Sequence, residues 1–526
     1  MRTYAVKPEE KTAGYEALVV APGACQFLVW AVAIAVTVCI VYGQLLISGG
    51  ITIDTEDIIN LQMSFYGGWL GIDRYGLVFT KAVFGLLSNV PVLATSLSMV
   101  TMVACGIVWM LLITQLGMKK SYLCGGIFSL LLVTSVPLLE ILAFQCLSFE
   151  VAFALLLAAL SLSCFWKYID ERHAFYLALH AILLVWVFSS YQAFIPMAAA
   201  MYSLSFLVRA MNGVNSYEKK NPGRTVLIQA AFFALALLLY KLLGTLLIIL
   251  SGVQEGSYTS SMVVLGKEPI GSVLNSFALY LLGIFSGNSY AWNYLYLLAY
   301  ISLFVFPMLN HFRSKGGDTP KVGLGWILIA ILFSLCAPLV LPFVTGGGVV
   351  RGQFALPFVM ALSIALAISE TANYLSHIIM RRAFMILAAV AFLHVCIAPG
   401  VRLMWTNSVV KQQEIQVTYE LLEDIHAAGG KEGSTVIVLG QWHPSYNRSM
   451  VPGEVLGRSF FEWDAGVQGG TNRRVLGYWR TLGYDFAMPT LEEIQAAEAV
   501  ANGKPSFPDP GAVWKTGNII VVKLSD

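Results

Sequence analysis

The chain contains 526 residues, of which 57% are hydrophobic and only 12% are charged, and its mean hydropathy is +0.73. Because a soluble domain carries about 25% charged residues, this composition excludes a soluble globular enzyme and a disordered scaffold. A net charge of +2 gives no attraction for a polyanion, so the sequence also excludes a nucleic-acid partner. The composition predicts an all-α polytopic membrane protein.

Eleven segments of the chain predict transmembrane helices, each of which needs about 20 apolar residues. They lie at 26–48, 92–117, 122–140, 142–165, 174–194, 195–213, 225–251, 291–310, 323–343, 353–372 and 383–400. Two shorter apolar segments, 76–90 and 272–286, predict helices at the membrane interface. An odd number of spans places the two ends of the chain on opposite sides of the membrane.

The distribution of basic residues predicts the orientation of the chain, because cytoplasmic loops carry an excess of lysine and arginine. With the N-terminus in the cytoplasm, the cytoplasmic segments hold Arg2, Lys7, Lys11, Lys119, Lys120, Lys167, Arg172, Arg209, Lys219, Lys220, Arg224, Arg313, Lys315, Lys321, Arg381 and Arg382. The opposite short loops hold only Arg74, Lys81, Lys267 and Arg351. We therefore predict an N-terminus inside and a C-terminus outside.

Charged residues return after residue 400, which divides the chain into three parts. We predict a cytoplasmic segment (1–25), a transmembrane domain (26–400) whose first outer loop is 49–91, and a small extracytoplasmic α/β domain (401–526). In the last part, hydrophobic periodicity predicts three helices and two strands. The helices are Val417–Ala428, Arg474–Leu482 and Leu491–Ala501, and the strands are Ser434–Leu439 and Asn518–Leu524.

Three carboxylates follow the first predicted span: Asp54, Glu56 and Asp57. Their mutual repulsion and partial burial at a membrane interface are expected to raise at least one of the three pKa values. A carboxylate with a raised pKa can act as a general base toward a hydroxyl group, and the three together can bind Mg²⁺ or Mn²⁺. The alternative is a solvated acidic cap on a helix at 58–65, because acidic residues favour helix N-termini.

The first outer loop also carries Trp69, Asp73 and Arg74. An arginine beside aromatic residues on the outer face suits a phosphate or sugar-phosphate ligand. The alternative is an aromatic anchor at the membrane interface with a snorkelling arginine. Tyr191 and Gln192, at the outer end of the fifth span, can hydrogen-bond a sugar or a lipid headgroup, or else a neighbouring helix.

Arg351 follows a triple glycine at the head of a predicted span. These glycines do not form a P-loop, because the Lys-Ser/Thr that must follow is absent. An isolated arginine at such a position needs a partner. We expect the phosphate of a lipid carrier, and the alternative is an internal carboxylate such as Glu150 or Asp57. Lys267 is a further basic residue of the outer loops, and Lys241 inside the seventh span requires a carboxylate or carbonyl partner.

Several short motifs resemble those of the Gtr-type glucosyltransferase family within the GT-C superfamily of membrane glycosyltransferases. The run Glu56-Asp57, then Trp69, then Asp73-Arg74 is similar to the family's acidic pair, tryptophan and Gly-Arg pattern. The family pair is usually Asp-Asp, whereas this chain has Glu56-Asp57 with an additional Asp54, and Asp73 replaces the glycine before the arginine.

Later motifs extend the resemblance over nearly the whole chain. Ser190-Tyr191-Gln192-Ala193-Phe194 is similar to the Tyr-Gln motif of the family, and Arg351 with Pro357 resembles its late Arg…Pro segment. Tyr478–Tyr484 is similar to the end of the family sequence.

The resemblance implies an inverting, polyprenyl-phosphate-sugar-dependent hexosyltransferase of the bacterial cytoplasmic (inner) membrane. It would move a hexose such as glucose from undecaprenyl phosphate to a cell-surface glycan such as O-antigen, on the outer face. Its partners would be the lipid bilayer, a donor synthase and a flippase. It implies no required cofactor, with Mg²⁺ or Mn²⁺ on the acidic residues as an alternative.

The resemblance also implies roles for individual residues. One of Asp57, Glu56 and Asp54 would be the catalytic base. The lipid phosphate of the donor would be bound by Arg351, Arg74 and Lys267. The substrate would contact Tyr191, Gln192, Trp69 and Asp73.

Two other functions remain open at this stage. A flippase or transporter of a lipid-linked glycan would bind the same phosphate. However, it needs charged residues along a central path through the membrane, and few charged residues lie within the predicted spans. A polysaccharide polymerase or ligase also faces outward and uses arginines. Such enzymes carry their catalytic residues in a large later loop, whereas the acidic residues here lie in the first.

Overall fold

A computed structural model describes residues 22–48, 50–116, 122–212, 221–287, 289–313, 322–375 and 377–526. The first 21 residues of the predicted segment 1–25 lie outside this description. So do the basic residues Arg2, Lys7, Lys11, Lys119, Lys120, Lys219, Lys220, Lys315 and Lys321 and the side chain of Arg313. The predicted fold class is confirmed: the protein is an all-α polytopic membrane protein with a small C-terminal α/β region.

Between residues 22 and 427, most of the described residues are helical. In order, the helices are α1 (Pro22–Tyr42), α2 (Gln44–Ile47), α3 (Thr55–Leu61), α4 (Met63–Gly71), α5 (Tyr75–Val83), α6 (Pro91–Gln115), α7 (Leu123–Val133), α8 (Val136–Leu142), α9 (Ser148–Glu171), α10 (Ala174–Ser190), α11 (Phe194–Asn212), α12 (Pro222–Ser251), α13 (Tyr258–Ser261), α14 (Ile270–Ser286), α15 (Leu295–Arg313), α16 (Leu324–Thr345), α17 (Ala355–Tyr374), α18 (Ile378–Phe392) and α19 (Ala398–Ala427). Such apolar segments become helices because a helix satisfies every backbone polar group within itself.

Nine helices among the described residues are long and apolar enough to cross a membrane. Helices α7 and α8 form a further span if they are counted together, although a short break bends them by 51°. The apolar helix α10, with 17 residues, corresponds to the remaining predicted span. Each of the eleven predicted spans therefore has a helical counterpart.

The last span does not end where the C-terminal domain is predicted to begin. Helix α18, a π-helical turn (Leu393–Ile397) and α19 form one continuous helix of 50 residues, Ile378–Ala427. The predicted boundary at 400/401 lies inside this helix. The predicted helix Val417–Ala428 is helical up to Ala427, but its residues form the end of the long helix and not an element of their own.

The C-terminal region contains one mixed three-stranded sheet. Its elements are β1 (Thr435–Leu439), α20 (Gly470–Thr481), α21 (Leu491–Ala501), β2 (Val513–Thr516) and β3 (Ile519–Lys523). The strand order is β1-β3-β2, with β1 parallel and β2 antiparallel to β3. Because side chains alternate along a strand, Ile437, Leu439 and Val521 pack on α21. The opposite face joins the main hydrophobic core, which holds α20 against the transmembrane part.

Candidate active site

The three predicted carboxylates come together at the start of α3. Asp54 precedes the helix in a left-handed conformation (φ +66°), and Glu56 and Asp57 lie in its first turn. One side-chain oxygen from each residue lies within 4.8 Å of the other two. The side chain of Asp54 is 37% exposed, that of Asp57 is 11% exposed and that of Glu56 is fully buried. Asp54 is therefore the carboxylate that a ligand reaches most easily.

Arg474, which lies on α20 in the C-terminal region, is at the centre of this acidic cluster. Its Nη1 atom is 2.5 Å from Glu56 Oε1, 2.9 Å from Asp54 Oδ1 and 3.4 Å from Asp57 Oδ2. Only 7% of its side chain is exposed. The three carboxylates thus share one positive partner, which lies more than 400 positions further along the chain.

Asp464 orients this arginine from the opposite side. The Nε atom of Arg474 donates to Asp464 Oδ2 at 2.7 Å. The neighbouring Arg473 donates to the same Asp464 oxygen at 2.9 Å and lies 3.6 Å from Asp57. Both edges of the Arg474 guanidinium are therefore engaged by carboxylates, which fixes its orientation.

The contact between α3 and α20 is close along the backbone as well. The Asn60 side-chain amide donates to the carbonyl of Gly477 at 2.9 Å. A Cβ atom at Gly477 would lie 3.2 Å from Cγ of Glu56, which is tighter than ordinary van der Waals contact. The absence of a side chain at Gly477 thus allows α20 to approach the acidic cluster.

Burial controls the protonation of the cluster. Burial raises the pKa of Glu56 to about 8, against the opposing effect of Arg474. Burial also raises the pKa of Asp57, which Arg473 and Arg474 lower less strongly. For Asp464 burial acts in the same direction, but the two arginines hold its pKa below the usual value. The predicted raised pKa is therefore present, and desolvation is its main cause.

The oxygen ligands of Asp54, Glu56 and Asp57 match the chemistry of Mg²⁺, which binds oxygen at about 2.0–2.1 Å, and of Mn²⁺, which also prefers carboxylate oxygen. However, the Nη1 atom of Arg474 lies between the same oxygens. A metal ion and a guanidinium at this separation would repel each other strongly. With Arg474 in place, the cluster does not fit a divalent cation.

A second group of predicted residues surrounds Arg74. Its Nε atom donates to Gln192 Oε1 at 3.1 Å, and its guanidinium lies 4.6 Å from the ring centre of Tyr191 and 5.7 Å from that of Tyr258. Gln192 in turn donates to the carbonyl of Ile72 at 2.7 Å. Arg74 has no carboxylate partner among the residues that the structure describes, so its charge is available to an anionic ligand.

The two residues predicted to assist Arg74 have other partners. Asp73 (φ +60°) forms an ion pair with Lys241. Lys241 lies within the predicted seventh span and has the predicted carboxylate partner, and 65% of its side chain is exposed on the surface of the helix. The Trp69 ring is buried with its centre 5.0 Å from that of Phe65. Trp69 therefore supports the turn before Arg74, and its ring is not exposed as a membrane anchor.

Arg351 lies in a short 3₁₀ helix after the triple glycine, whose φ angles of +65°, +133° and +70° favour glycine at all three positions. Its guanidinium forms an ion pair with Glu454 of the C-terminal region. The alternative of an internal carboxylate partner is therefore present, but the residue is Glu454 of the distant tail and not Glu150 or Asp57. Whether a lipid phosphate also binds Arg351 stays a prediction.

Two other buried carboxylates hold the site together. Glu140 accepts hydrogen bonds from the backbone N–H groups of residues 454–456 at 2.8–3.1 Å, and it thereby fixes the segment that carries the partner of Arg351. Glu150 pairs with Lys81 at 3.1 Å, and both side chains are buried. These contacts assign the acidic residues inside the helix bundle to structural roles.

Arg351 connects the acidic cluster with the Arg74 group. Tyr191 and Tyr258, whose rings lie beside Arg74, also act electrostatically on Arg351. Burial alone would lower the pKa of Arg351, but the pKa is raised because Tyr191, Tyr258 and Asp54 favour the charged form. Arg351 therefore interacts electrostatically both with the exposed carboxylate of Asp54 and with the two tyrosines beside Arg74.

Lys267 is not part of this arrangement. Its Nζ atom donates to the carbonyl of Ser260, and within the described ranges no contact joins it to the other predicted site residues. Its role as a phosphate ligand stays a prediction.

The sequence patterns missed several residues of the site. These are Tyr258, Glu454, Asp464, Arg473 and Arg474. The adjacent arginine pair at the start of a predicted amphipathic helix is the only local signal for any of them. Nothing in the local sequence connects this pair to the first outer loop.

Comparison with protein families gives one match. The family described as glucosyl transferase GtrII matches residues 43–368, which is more than half of the chain. The matched region contains the acidic cluster, Arg74 and Arg351, and it ends before Arg474. This match confirms the resemblance to Gtr-type glucosyltransferases. A search of curated proteins finds no significant match.

Proposed function

The chain belongs to the glucosyl transferase GtrII family, and from this membership we propose that it transfers glucose from a polyprenyl-phosphate sugar to a cell-surface glycan. The family makes the protein a glucosyltransferase, and its apolar helices make it a multi-pass membrane protein. Three features of the reaction are our proposal. The donor is a polyprenyl-phosphate sugar such as undecaprenyl-phosphate glucose, and the acceptor is a glycan. The transfer inverts the anomeric centre and takes place on the outer face of a bacterial cytoplasmic membrane.

One observation carries the proposal: the rings of Tyr191 and Tyr258 lie beside Arg74, and these two residues and Asp54 also favour the charged form of Arg351. Transfer of a sugar from a phosphate requires a base for the acceptor hydroxyl and positive charge for the leaving phosphate. A carboxylate with an open face and two arginines near it supply both requirements.

We assign the base to Asp54, because its side chain is the most exposed of the three carboxylates. The acceptor oxygen would attack the anomeric carbon while Asp54 accepts the hydroxyl proton. The bond between the anomeric carbon and the phosphate oxygen would break, and its electron pair would leave with the polyprenyl phosphate. A single displacement of this kind inverts the anomeric centre.

Arg74 is the stronger candidate for binding the donor phosphate, because it is held by Gln192 and Tyr191 without a carboxylate partner among the described residues. Arg351 would share its charge between Glu454 and the phosphate. A guanidinium binds phosphate through paired hydrogen bonds, which also fix its orientation.

An apolar groove next to Arg74 supports a lipid donor. It has a volume of about 480 Å³ and lies between α5, α10 and α12, where Tyr75, Phe79, Trp186 and Leu247 contribute to its walls. Tyr75 directly follows Arg74 in the chain. A polyprenyl chain in this groove would place its phosphate beside the arginine.

The proposed orientation places this site outside the cell, with the N-terminus inside. A donor synthase and a flippase would then supply the lipid-linked sugar. No step of the proposed reaction uses a metal ion.

The proposal is tested with the full-length protein in nanodiscs, synthetic polyprenyl-phosphate glucose and an isolated acceptor glycan. We expect the wild type to release polyprenyl phosphate and to glucosylate the glycan. Replacement of the general base, Asp54→Asn, is expected to lower the rate by about 10²–10⁴-fold while donor binding is retained.

Asp424→Asn is the matched control, because this aspartate is exposed on α19 and remote from the proposed chemistry. A donor that binds but is never consumed, with several acceptors tested, would contradict transfer and favour a flippase. An Asp54→Asn protein with normal turnover would remove Asp54 from the role of base.

A further inference from the structure

We propose that Arg474 is the resident cation of the acidic cluster, a positioning residue that the C-terminal region supplies in place of a divalent metal ion. Arg474 lies outside residues 43–368, which match the family, whereas the three carboxylates that it contacts lie inside them. The inference rests on the proposed function in one respect, which is that Asp54 acts as the base.

The cluster needs a cation, because ionised carboxylates with oxygens within 4.8 Å of one another repel strongly in a buried site. A bound divalent ion or a buried arginine can meet this need. The Nη1 atom of Arg474 approaches all three carboxylates at 2.5–3.4 Å, so the position that a metal ion would take is already filled.

The arginine is also held in place independently of the cluster. Asp464 accepts from its Nε atom at 2.7 Å and is itself bound by Arg473. The Nη1 edge is thereby directed at the carboxylates, while Oε2 of Glu56 remains without a hydrogen-bond partner among the described residues. This geometry fixes the carboxylate of Asp54 and leaves its exposed face free for the acceptor.

The proposal predicts that removal of Arg474 converts the cluster into a metal site. We would titrate Mn²⁺ into the full-length wild type and the Arg474→Gln variant and measure binding by electron paramagnetic resonance. The variant is expected to gain one saturable site with a dissociation constant on the order of 10⁻⁵–10⁻⁴ M, as carboxylate sites bind such ions, and this site should be absent from the wild type.

Arg480→Gln is the matched control, because Arg480 lies on the same helix but pairs with Asp485 at 2.7 Å. This variant should bind Mn²⁺ no better than the wild type. A wild type that already binds Mn²⁺ at a site lost in Glu56→Gln would overturn the proposal. This Mn²⁺-binding experiment requires no transferase activity, so its result remains valid even if the proposed function is wrong.

The second arm measures glucosyl transfer. We expect wild-type turnover to be insensitive to EDTA and to added Mn²⁺. In Arg474→Gln we expect kcat to fall by about 100-fold or more, since a misplaced catalytic group costs about this much, with little change in KM for the donor. Added Mn²⁺ should restore at least part of this loss.

Arg474→Lys keeps the charge and provides a second variant should the glutamine protein fail to fold. Its kcat should lie between those of the wild type and the glutamine variant. Full turnover in Arg474→Gln with Mn²⁺ binding unchanged would overturn the proposal. Wild-type turnover that EDTA abolishes and Mn²⁺ restores would also overturn it. A wild type without any transfer would instead contradict the proposed function.

Discussion

Arg74 is the arginine with the most available charge at the site, since it is stacked on Tyr191 and bound by Gln192 without a carboxylate partner in the described ranges. We predict that Arg74→Gln weakens donor binding by about 1.5–3 kcal/mol, the contribution of a hydrogen bond to a charged group. Binding of a fluorescent polyprenyl-phosphate sugar to detergent-solubilised protein measures this effect. Arg448→Gln, at an exposed position, should bind as the wild type does, and equal affinities for both variants would remove Arg74 from donor binding.

Glu56 makes the stability of the protein depend on pH. Its pKa in the folded protein is about 8, compared with about 4.3 for an unfolded chain. Between these values the folded state binds more protons than the unfolded state, so stability falls as pH rises, by at most about 1.4 kcal/mol per pH unit. Above a pH of about 8, Glu56 is ionised in both the folded and the unfolded state, and its contribution to stability no longer changes with pH.

We predict that Glu56→Gln, which mimics the protonated acid, removes this pH dependence. Thermal unfolding followed by size-exclusion chromatography at about pH 5 and about pH 8 tests it, since these values bracket the transition. The wild type should lose thermal stability at the higher pH relative to the variant. The control is Glu498→Gln, at an exposed position on α21, whose thermal stability should depend on pH as that of the wild type does. If the thermal stability of Glu56→Gln also keeps the wild-type pH dependence, a group other than Glu56 causes it.

At the scale of elements, the contact between α3 and α20 joins the two parts of the site. We predict that Gly477→Val pushes α20 away from Glu56, because a Cβ atom at this position would lie 3.2 Å from Cγ of Glu56. Overpacking of this kind costs about 1–3 kcal/mol, and displacement of Arg474 should lower glucosyl transfer as well. Thermal stability and turnover are measured together on the same preparation.

Gly466→Val is the control for this prediction, because Gly466 is exposed and nothing lies within 4 Å of the position that its Cβ would occupy. The thermal stability and the turnover of Gly466→Val should stay close to those of the wild type. Normal turnover in Gly477→Val would mean that the site does not depend on the close approach of α20.

Element prediction from the sequence succeeded where one physical signal dominates. Long apolar runs predicted the transmembrane helices, and the helix Leu491–Ala501 was predicted with its observed bounds. Strand β2 was missed, because its four residues are only half-buried or exposed and lack the alternation of a packed strand. The long helix Ile378–Ala427 was divided at residue 400, because its hydropathy changes there while its backbone does not.

The candidate site could be predicted only in part, for a reason that applies to the whole molecule. The carboxylates at 54–57 are neighbours in sequence, so their grouping could be predicted from the chain. Arg474 meets Glu56 across 418 positions, and Glu454 meets Arg351 across 103. Such contacts arise from tertiary packing of the C-terminal region on the helix bundle, and no local periodicity encodes them.

Because Arg474 and Glu454 come from this C-terminal region, the region and the site must lie on the same side of the membrane. The positive-inside rule predicts that this side is outside the cell. We therefore predict that Glu498→Cys, on exposed α21, reacts with a membrane-impermeant maleimide in intact cells. Arg381→Cys, exposed near the start of α18, should react only after the membrane is permeabilised, because it lies at the predicted cytoplasmic end.

The unmodified chain is the control for native thiols, since Cys25, Cys39 and Cys336 are exposed on apolar helices. These thiols should react slowly with a charged reagent, because lipid covers such surfaces in the membrane. The opposite labelling pattern would place the site in the cytoplasm, where a nucleotide sugar could reach it directly. The polyprenyl-phosphate donor would then lose its physical rationale, because a lipid carrier is needed to bring an activated sugar to the outer face.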